Sequence, residues 1–465
     1  MTGSTASHLD PDWDLRTEFL VIGAGACGLM AAFAAARRGV EVVLLEKNRR
    51  GGCNTELASG SVPAAGTRFQ KAAGIEGTPE VMAEDILRKN GGRADRAIVL
   101  ELCRRSRDII DVLVDEVGLP MELNTDAGRA GFSFLRLHNP PGRTGGPLIQ
   151  ALHDALSRQA SATFADLTPG AGLVTDDAGA VVGALAGEDG AQRIGAKKVL
   201  LACDGFGANG EMLQKWVPEA AGMEYIGTRN NTGEGVRWGM ALGAATDHMS
   251  AYQGHGYICA GYGTRLAPEI PQLGGIFVNL QGERFTRDDQ GYSEFAREIM
   301  GQAGRVAVGV FDQRIHDVVA HTSHFQDTIA SGALRRADSI EALAEAFRID
   351  AGRLRATLED YNAGVLAGRD RFGRKALVKP LVAPFYGARV LGAIAHTQGG
   401  LRVDVHARVL RPDGSAIPNL YAGGGTAAGI SGDSCDGYMS GNGLLTALGF
   451  GLIAGEHATS SIRAS

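Results

Sequence analysis

The chain has 465 residues, 44% of them hydrophobic and 21% charged, enough for two domains and a large buried core. Its formal charge of −6 is small for that length and no Lys/Arg block or basic stripe occurs, which speaks against nucleic acid or an anionic membrane as a partner and favours a small-molecule substrate. The apolar runs near Phe19 and Leu444 are short and broken by glycine, far from the roughly 20 residues a membrane helix needs.

In chain order, residues 1–16 carry Asp10, Asp12 and Asp14 and no basic, apolar-cored leader, so they read as a loose tail on a cytoplasmic protein. The six cysteines (Cys27, Cys53, Cys103, Cys203, Cys259 and Cys435) lack CxxC or metal spacing, and neither disulfides nor a metal is expected. Glycine, at 67 residues, clusters in three places that read as backbone approached by a ligand. The clearest is "TEFLVIGAGACGLMAAFAAARRGVEVVLLEK": apolar strand, glycine turn, alanine-rich helix, second apolar strand, acid. Gly23, Gly25 and Gly28 form GxGxxG, which permits the turn, the approach of a pyrophosphate, and close packing of helix on strand. Ala26 opens the helix, whose free N–H groups and dipole favour an anion. Glu46, about twenty residues on, is placed to accept hydrogen bonds from a ribose and disfavours a 2′-phosphate. The alternative, a merely tight strand-to-helix turn, accounts poorly for the two strands and the acid together. "KNRRGGCNT" follows directly at 47–55, whereas "GFGAN" at Gly205 lacks the spacing of a second dinucleotide fingerprint, so direct use of NADH is not expected.

From 245 to 384 the pattern turns to mixed α+β. "GGIFVNLQGERFT", 274–286, reads as two short strands around a Gln-Gly turn. "SIEALAEAFRIDAGRLRATLEDYNAGV", 339–365, has helical spacing with Ser339 as N-cap and Glu341 in the first turn. Pro380 and Pro384 suit a crossing between domains and a hinge there. The last stretch, "NLYAGGGTAAGISGDSCDGYMSGNGLLTALGFGLIAGE" at 419–456, gathers glycines and small polar residues around Tyr438 just before an apolar helical pattern.

Together with "KVLLACDGFGAN" (197–209) and "NTGEGVRWGMALGA" (231–244), these motifs resemble, in order and across nearly the whole chain, the flavoproteins of the fumarate reductase, succinate dehydrogenase and 3-ketosteroid dehydrogenase superfamily. The resemblance implies an α/β fold: a Rossmann-type FAD-binding domain at 17–244 and 385–465, with an inserted α+β capping domain for substrate at 245–384. It implies FAD contacts from Gly23, Gly25, Ala26, Gly28, Glu46, Lys47, Gly52, Cys53, Asn54, Thr55, Gly60, Asp204, Gly205, Gly424 and Gly425. Asn442, Gly443 and Leu444 would form the helix start that faces the pyrimidine end of the flavin and steadies its negative charge on reduction. Two departures stand out. Covalent members carry a histidine after the GG pair, where this chain has Cys53, Asn54 and Thr55, so FAD is expected to be held noncovalently. Many relatives read Ala-Gly-Glu where this chain has Gly423, Gly424 and Gly425, which leaves the ribityl contacts open.

Such flavoproteins move two hydrogens between adjacent carbons beside an electron-withdrawing group, so one side chain must polarise that group and another must carry the proton. Fumarate reductases place an arginine before the closing helix; ketosteroid dehydrogenases place a tyrosine there, and "GYMSGNG" resembles the latter. Tyr438 is thus the candidate to bond a substrate ketone, with Gly441 beside it, and its alternative is an aromatic wedge under the flavin. Tyr292, in "DDQGYSEFAR", matches the proton-abstracting tyrosine, helped by Arg287 or by another cation or phenol across the site; the alternative is core packing. Arg287 has a rival reading as proton donor and another as a surface ion pair. His396, in "IAHTQGG", is read as a flavin-side or substrate contact, and His255 as a cleft residue or a packed one. The expected activity is FAD-dependent α,β-desaturation of a cyclic ketone, a small ring such as 4-oxocyclohexanecarboxylate or a 3-ketosteroid. The rivals are a fumarate reductase-like ene-reductase and an electron-transfer module without a substrate of its own. The electron acceptor is left open.

Overall fold

The computed structural model describes residues 13–48, 52–126 and 128–464. Residues 1–12, most of the expected tail, lie outside that range, and ordered structure begins before the expected boundary at residue 16: the first strand is Leu15–Ile22, and Asp14 already bonds Arg193 through backbone and carboxylate. The strand is recruited early because Leu15, Arg16 and Thr17 pair with Ile194, Gly195 and Ala196.

The first strand lies between Val42–Leu45 and Gln192–Leu201, parallel to both, with Ala162–Ala165 beyond one neighbour and Ala416–Ala422 beyond the other. Parallel strands need helical crossovers, and the alanine-rich helix Ala26–Ala36 supplies the first; it is buried on every side. Its outer cover is the closing helix Asn442–Ala464. Gly451 and Gly455 set their distance: a Cβ on either would come 2.4 Å from the Cys27 carbonyl or 2.5 Å from that of Ala31.

The second sheet carries its own hydrophobic core and is mostly antiparallel, built from Tyr252–Cys259, Ile276–Val278, Val306–Asp312, Arg335–Ala337 and Phe385–Thr397, with Glu224–Tyr225 paired parallel at one edge. Phe385–Thr397 is its central strand. The segment from 385 to 397, assigned above to the nucleotide domain, therefore belongs to the capping sheet, and the chain crosses back after Thr397 and not at Pro380 and Pro384. Two local expectations also change. The arm after the Gln-Gly turn is not a strand: Asn279 N–H bonds the Glu283 carbonyl at 2.9 Å, but Arg284 turns inward onto Asp288 (2.7 Å) and Asp370 (2.5 Å). Ser339 does cap a helix, yet 339–365 holds two, Ile340–Phe347 and Ala351–Leu366, separated where Arg348 takes φ 56° and Asp350 caps the second. No helix among the described residues is long and apolar enough to cross a membrane.

Candidate active site

The carboxyl ends of the parallel strands, at Ile22, Leu45 and Leu201, open onto one cavity of about 580 Å³ that reaches into the second sheet. At its nucleotide end Gly23 holds φ 106°, and a Cβ there would strike the Ala202 carbonyl at 2.3 Å. At Gly25 a Cβ would meet nothing within 4 Å, so this turn faces open cavity. Glu46 lines the wall with its carboxylate fixed by Ala24 N–H (2.9 Å) and Asn48 N–H (3.0 Å). Lys47 is pinned to the Asn230 carbonyl (2.5 Å) and Glu234 (2.9 Å). Ala26, Gly52, Cys53, Asn54, Thr55, Asp204, Gly424, Gly425, Gly443 and Leu444 line the same wall. The Asn54 side-chain oxygen accepts Thr228 N–H at 2.8 Å, but its Nδ2 and one Glu234 carboxylate oxygen are buried there without partners, polar atoms that a nucleotide would satisfy.

Four expected cofactor contacts stand behind the wall instead. Gly28 packs helix on strand, since a Cβ would lie 1.8 Å from the Gly23 carbonyl. Gly60, at φ 67°, turns the chain against Pro140. Gly205 leaves room for the Thr397 hydroxyl, and the buried Asn442 amide bonds Ser431 at 3.2 Å.

At the cap end, Tyr438 is 5% exposed and meets two rings edge-on: Tyr292 at 6.0 Å and His396 at 5.8 Å. Burial holds its pKa well above the ordinary phenol value, so it is a protonated donor at neutral pH. Its hydroxyl lies 3.7 Å from where a Gly443 Cβ would be, at the start of the closing helix. Tyr292 is the first residue of the helix Tyr292–Met300 and tilts against His255 at 5.1 Å. Burial raises its pKa, while the Ser440 and Tyr438 hydroxyls and the charges of Arg129 and Arg265 pull it down. His255 is pushed down to about 3 by burial and by Arg265 and His324, and so is neutral. His396 is also held neutral by burial; its Nδ1 lies 3.1 Å from the Thr397 carbonyl and 3.0 Å from the Gln398 amide. Tyr438, Tyr292, His396, His255 and Gly441 thus come together around one space.

Arg287 does not join them. It is 42% exposed, paired at 3.4 Å with Asp289, and absent from the cavity wall. Its neighbours explain this: Asp288 turns in to Arg284 and Arg374, and Asp289 accepts the N–H groups of Lys375 and Ala376, which leaves Arg287 on the outer side of the turn. The cations acting on Tyr292 are Arg129 and Arg265, which the sequence reading passed over. Each follows a glycine-containing turn, in "AGRAGF" and "GYGTRLAP", but nothing local brings two arginines 136 positions apart beside one phenol.

A family model described as "FAD binding domain" matches residues 18–443. A fumarate reductase (cytochrome) of Shewanella frigidimarina is 30% identical over 449 residues, covering 95% of this chain and 76% of the relative. Among solved structures, the open conformation of a flavocytochrome c3 fumarate reductase superposes with TM-score 0.79 at 28% identity, over 97% of this chain and 79% of the other. The 3-ketosteroid-Δ4-(5α)-dehydrogenase of Rhodococcus jostii RHA1, in complex with 4-androstene-3,17-dione, superposes with TM-score 0.79 at 26% identity, over 98% and 100%. The chain thus belongs to the FAD binding domain family, as a flavin-dependent oxidoreductase acting on adjacent carbons.

Proposed function

We propose that the protein desaturates a cyclic ketone between its α and β carbons. The observation that carries this reading is the buried phenol pair, Tyr438 against Tyr292 at 6.0 Å, where a carboxylate-gripping arginine would serve the opposite chemistry. Tyr438, protonated and buried, donates to the ketone oxygen and favours enolate character without leaving an unpaired charge buried. Tyr292 takes the α-proton on the oxygen of its phenolate, a form that Ser440, Arg129 and Arg265 favour. FAD, when bound, supplies the acceptor for the hydride that leaves the β carbon. Neutral His255 and His396 shape the space without competing for the proton. The reverse reading, reduction of an unsaturated acid, would call on His396, which lines the cavity, and on Arg287, which does not.

The test is anaerobic mixing of the oxidised holoenzyme with ring ketones while the flavin absorbance is followed. Tyr438→Phe should slow bleaching by roughly 100-fold or more, as loss of an oxyanion donor does. Bleaching at the unmodified rate in Tyr438→Phe, or steady fumarate turnover with a reduced dye, would reject the proposal.

A further inference from the structure

The basic side chains on the cavity wall are answered by carboxylates, with one exception. Lys47 has Glu234, Arg143 has Asp126 at 2.6 Å, and Arg129 has Glu269. Arg265 lines the same cavity, yet its guanidinium makes a single hydrogen bond among the described residues, to the Leu57 carbonyl at 3.3 Å. Asp327 and Glu269 act on it only as more distant charges. Desolvation by the cavity wall has pulled Arg265 down to about 10, although the side chain is only half-buried and so stays accessible from the cavity, and no carboxylate among the described residues lies within ion-pair distance of it.

A second observation points to the same place. His324 also lines the cavity, and its Nε2 is buried without a partner. It stands in the first turn of the helix Ser323–Ala330, whose N-cap Thr322, another lining residue, makes no capping bond with its side chain. The Arg265 carbonyl accepts the hydroxyl of Thr328, on the same helix as His324, at 2.7 Å, Arg265 disfavours protonation of His324, and both bear on His255, so they share one corner of the cleft near Tyr292. A guanidinium, a neutral imidazole able to donate, and a helix start make a site for a carboxylate.

We propose that Arg265, with His324 and the start of the Ser323–Ala330 helix, is a carboxylate subsite, and that the substrate is a cyclic keto acid: a ring whose ketone meets Tyr438 and whose acid meets Arg265. The substrate class rests on the desaturase reading; the subsite does not. Oxidised holoenzyme is therefore titrated, by flavin difference spectra, with cyclohexanecarboxylate and its uncharged amide, and is separately mixed with 4-oxocyclohexanecarboxylate and its methyl ester. The acid should bind about tenfold or more tighter than the amide, and Arg265→Gln should weaken the acid by about 10- to 100-fold while moving the amide less than about twofold. Arg265→Lys should retain part of the preference. Equal binding of acid and amide by the unmodified protein, undiminished acid binding in Arg265→Gln, or release of FAD from that variant would each overturn the subsite. If neither ketone bleaches the flavin, the desaturase reading falls and the substrate class with it, while the acid-to-amide ratio still decides the subsite.

Discussion

Little of a phenol is phenolate at neutral pH, and burial makes the Tyr292 phenolate scarcer still, so its chemistry depends on the few groups that favour that form. Because its pKa lies above the ordinary value of about 10, the reactive fraction should grow about tenfold per pH unit from about pH 6 to about pH 9, and the flavin-reduction rate with it, without a plateau. Stopped-flow measurement across that range checks it, and a flat profile would exclude Tyr292 as the base. Tyr292→Phe should lose roughly 100- to 10,000-fold in that rate. Ser440→Ala, which removes one hydroxyl that supports the phenolate, should lose about tenfold at fixed pH and move the profile towards alkali. Tyr292, Tyr438 and His396 were legible because each sits in a short motif whose neighbours carry the resemblance. Arg129 and Arg265 were not, because their role comes from folding three distant loops onto one helix start. Arg287 misled for the converse reason: it is adjacent in sequence, but the carboxylates flanking it were claimed by Arg374 and by backbone N–H groups.

The elements that were legible are those whose pattern is local: the strand, turn and helix from Leu15 to Leu45, and the long apolar helix at the end. What joins them was not, since two alanine- and glycine-rich helices give no sign of being partners. Their contact is narrow enough to test. A Cβ on Gly455 would stand 2.5 Å from the Ala31 carbonyl and 2.9 Å from its Ala34 neighbour, so Gly455→Val must push the helices apart. The cost should be roughly 1–3 kcal/mol, read as a lower denaturation midpoint. Because the closing helix begins at the cavity and the first helix begins at Gly25, the same variant should also retain less FAD after gel filtration; full retention would mean that the two starts are held independently of this packing. The missing strand after Gln281–Gly282 has a similar cause, a buried arginine whose two aspartates outweigh one more pair of ladder bonds.

At the scale of the molecule, two cores face each other across the cavity, and the sequence located the insertion but not its far edge, because Phe385–Thr397 is one unbroken strand with no turn signal at the boundary. The proposed mechanism requires Tyr292, on one core, to meet Tyr438, on the segment leading into the other. Among the ion pairs between these parts, two are made by the Tyr292 helix, and their surroundings differ. Lys89 and Glu294 are 17% and 7% exposed, and Glu294 also accepts Gly291 N–H at 2.7 Å, at the cap of the Tyr292 helix. Arg297 and Asp436 form a two-pronged pair, at 2.7 and 3.2 Å, but are 37% and 51% exposed. Solvent screening limits the exposed pair to about 1 kcal/mol or less. Removing Lys89 would instead strand a buried carboxylate, at a cost on the order of 3 kcal/mol. Lys89→Met should therefore lower stability and slow flavin reduction, whereas Arg297→Ala should change both slightly, and Lys89→Met with Glu294→Gln should recover much of the loss because no charge is left unpaired. Chemical denaturation and anaerobic reduction of the three variants decide it. Equal losses in Lys89→Met and Arg297→Ala would show that the exposed pair carries as much of the alignment as the buried one, and would remove Lys89 from its place as the tie between the two halves of the site.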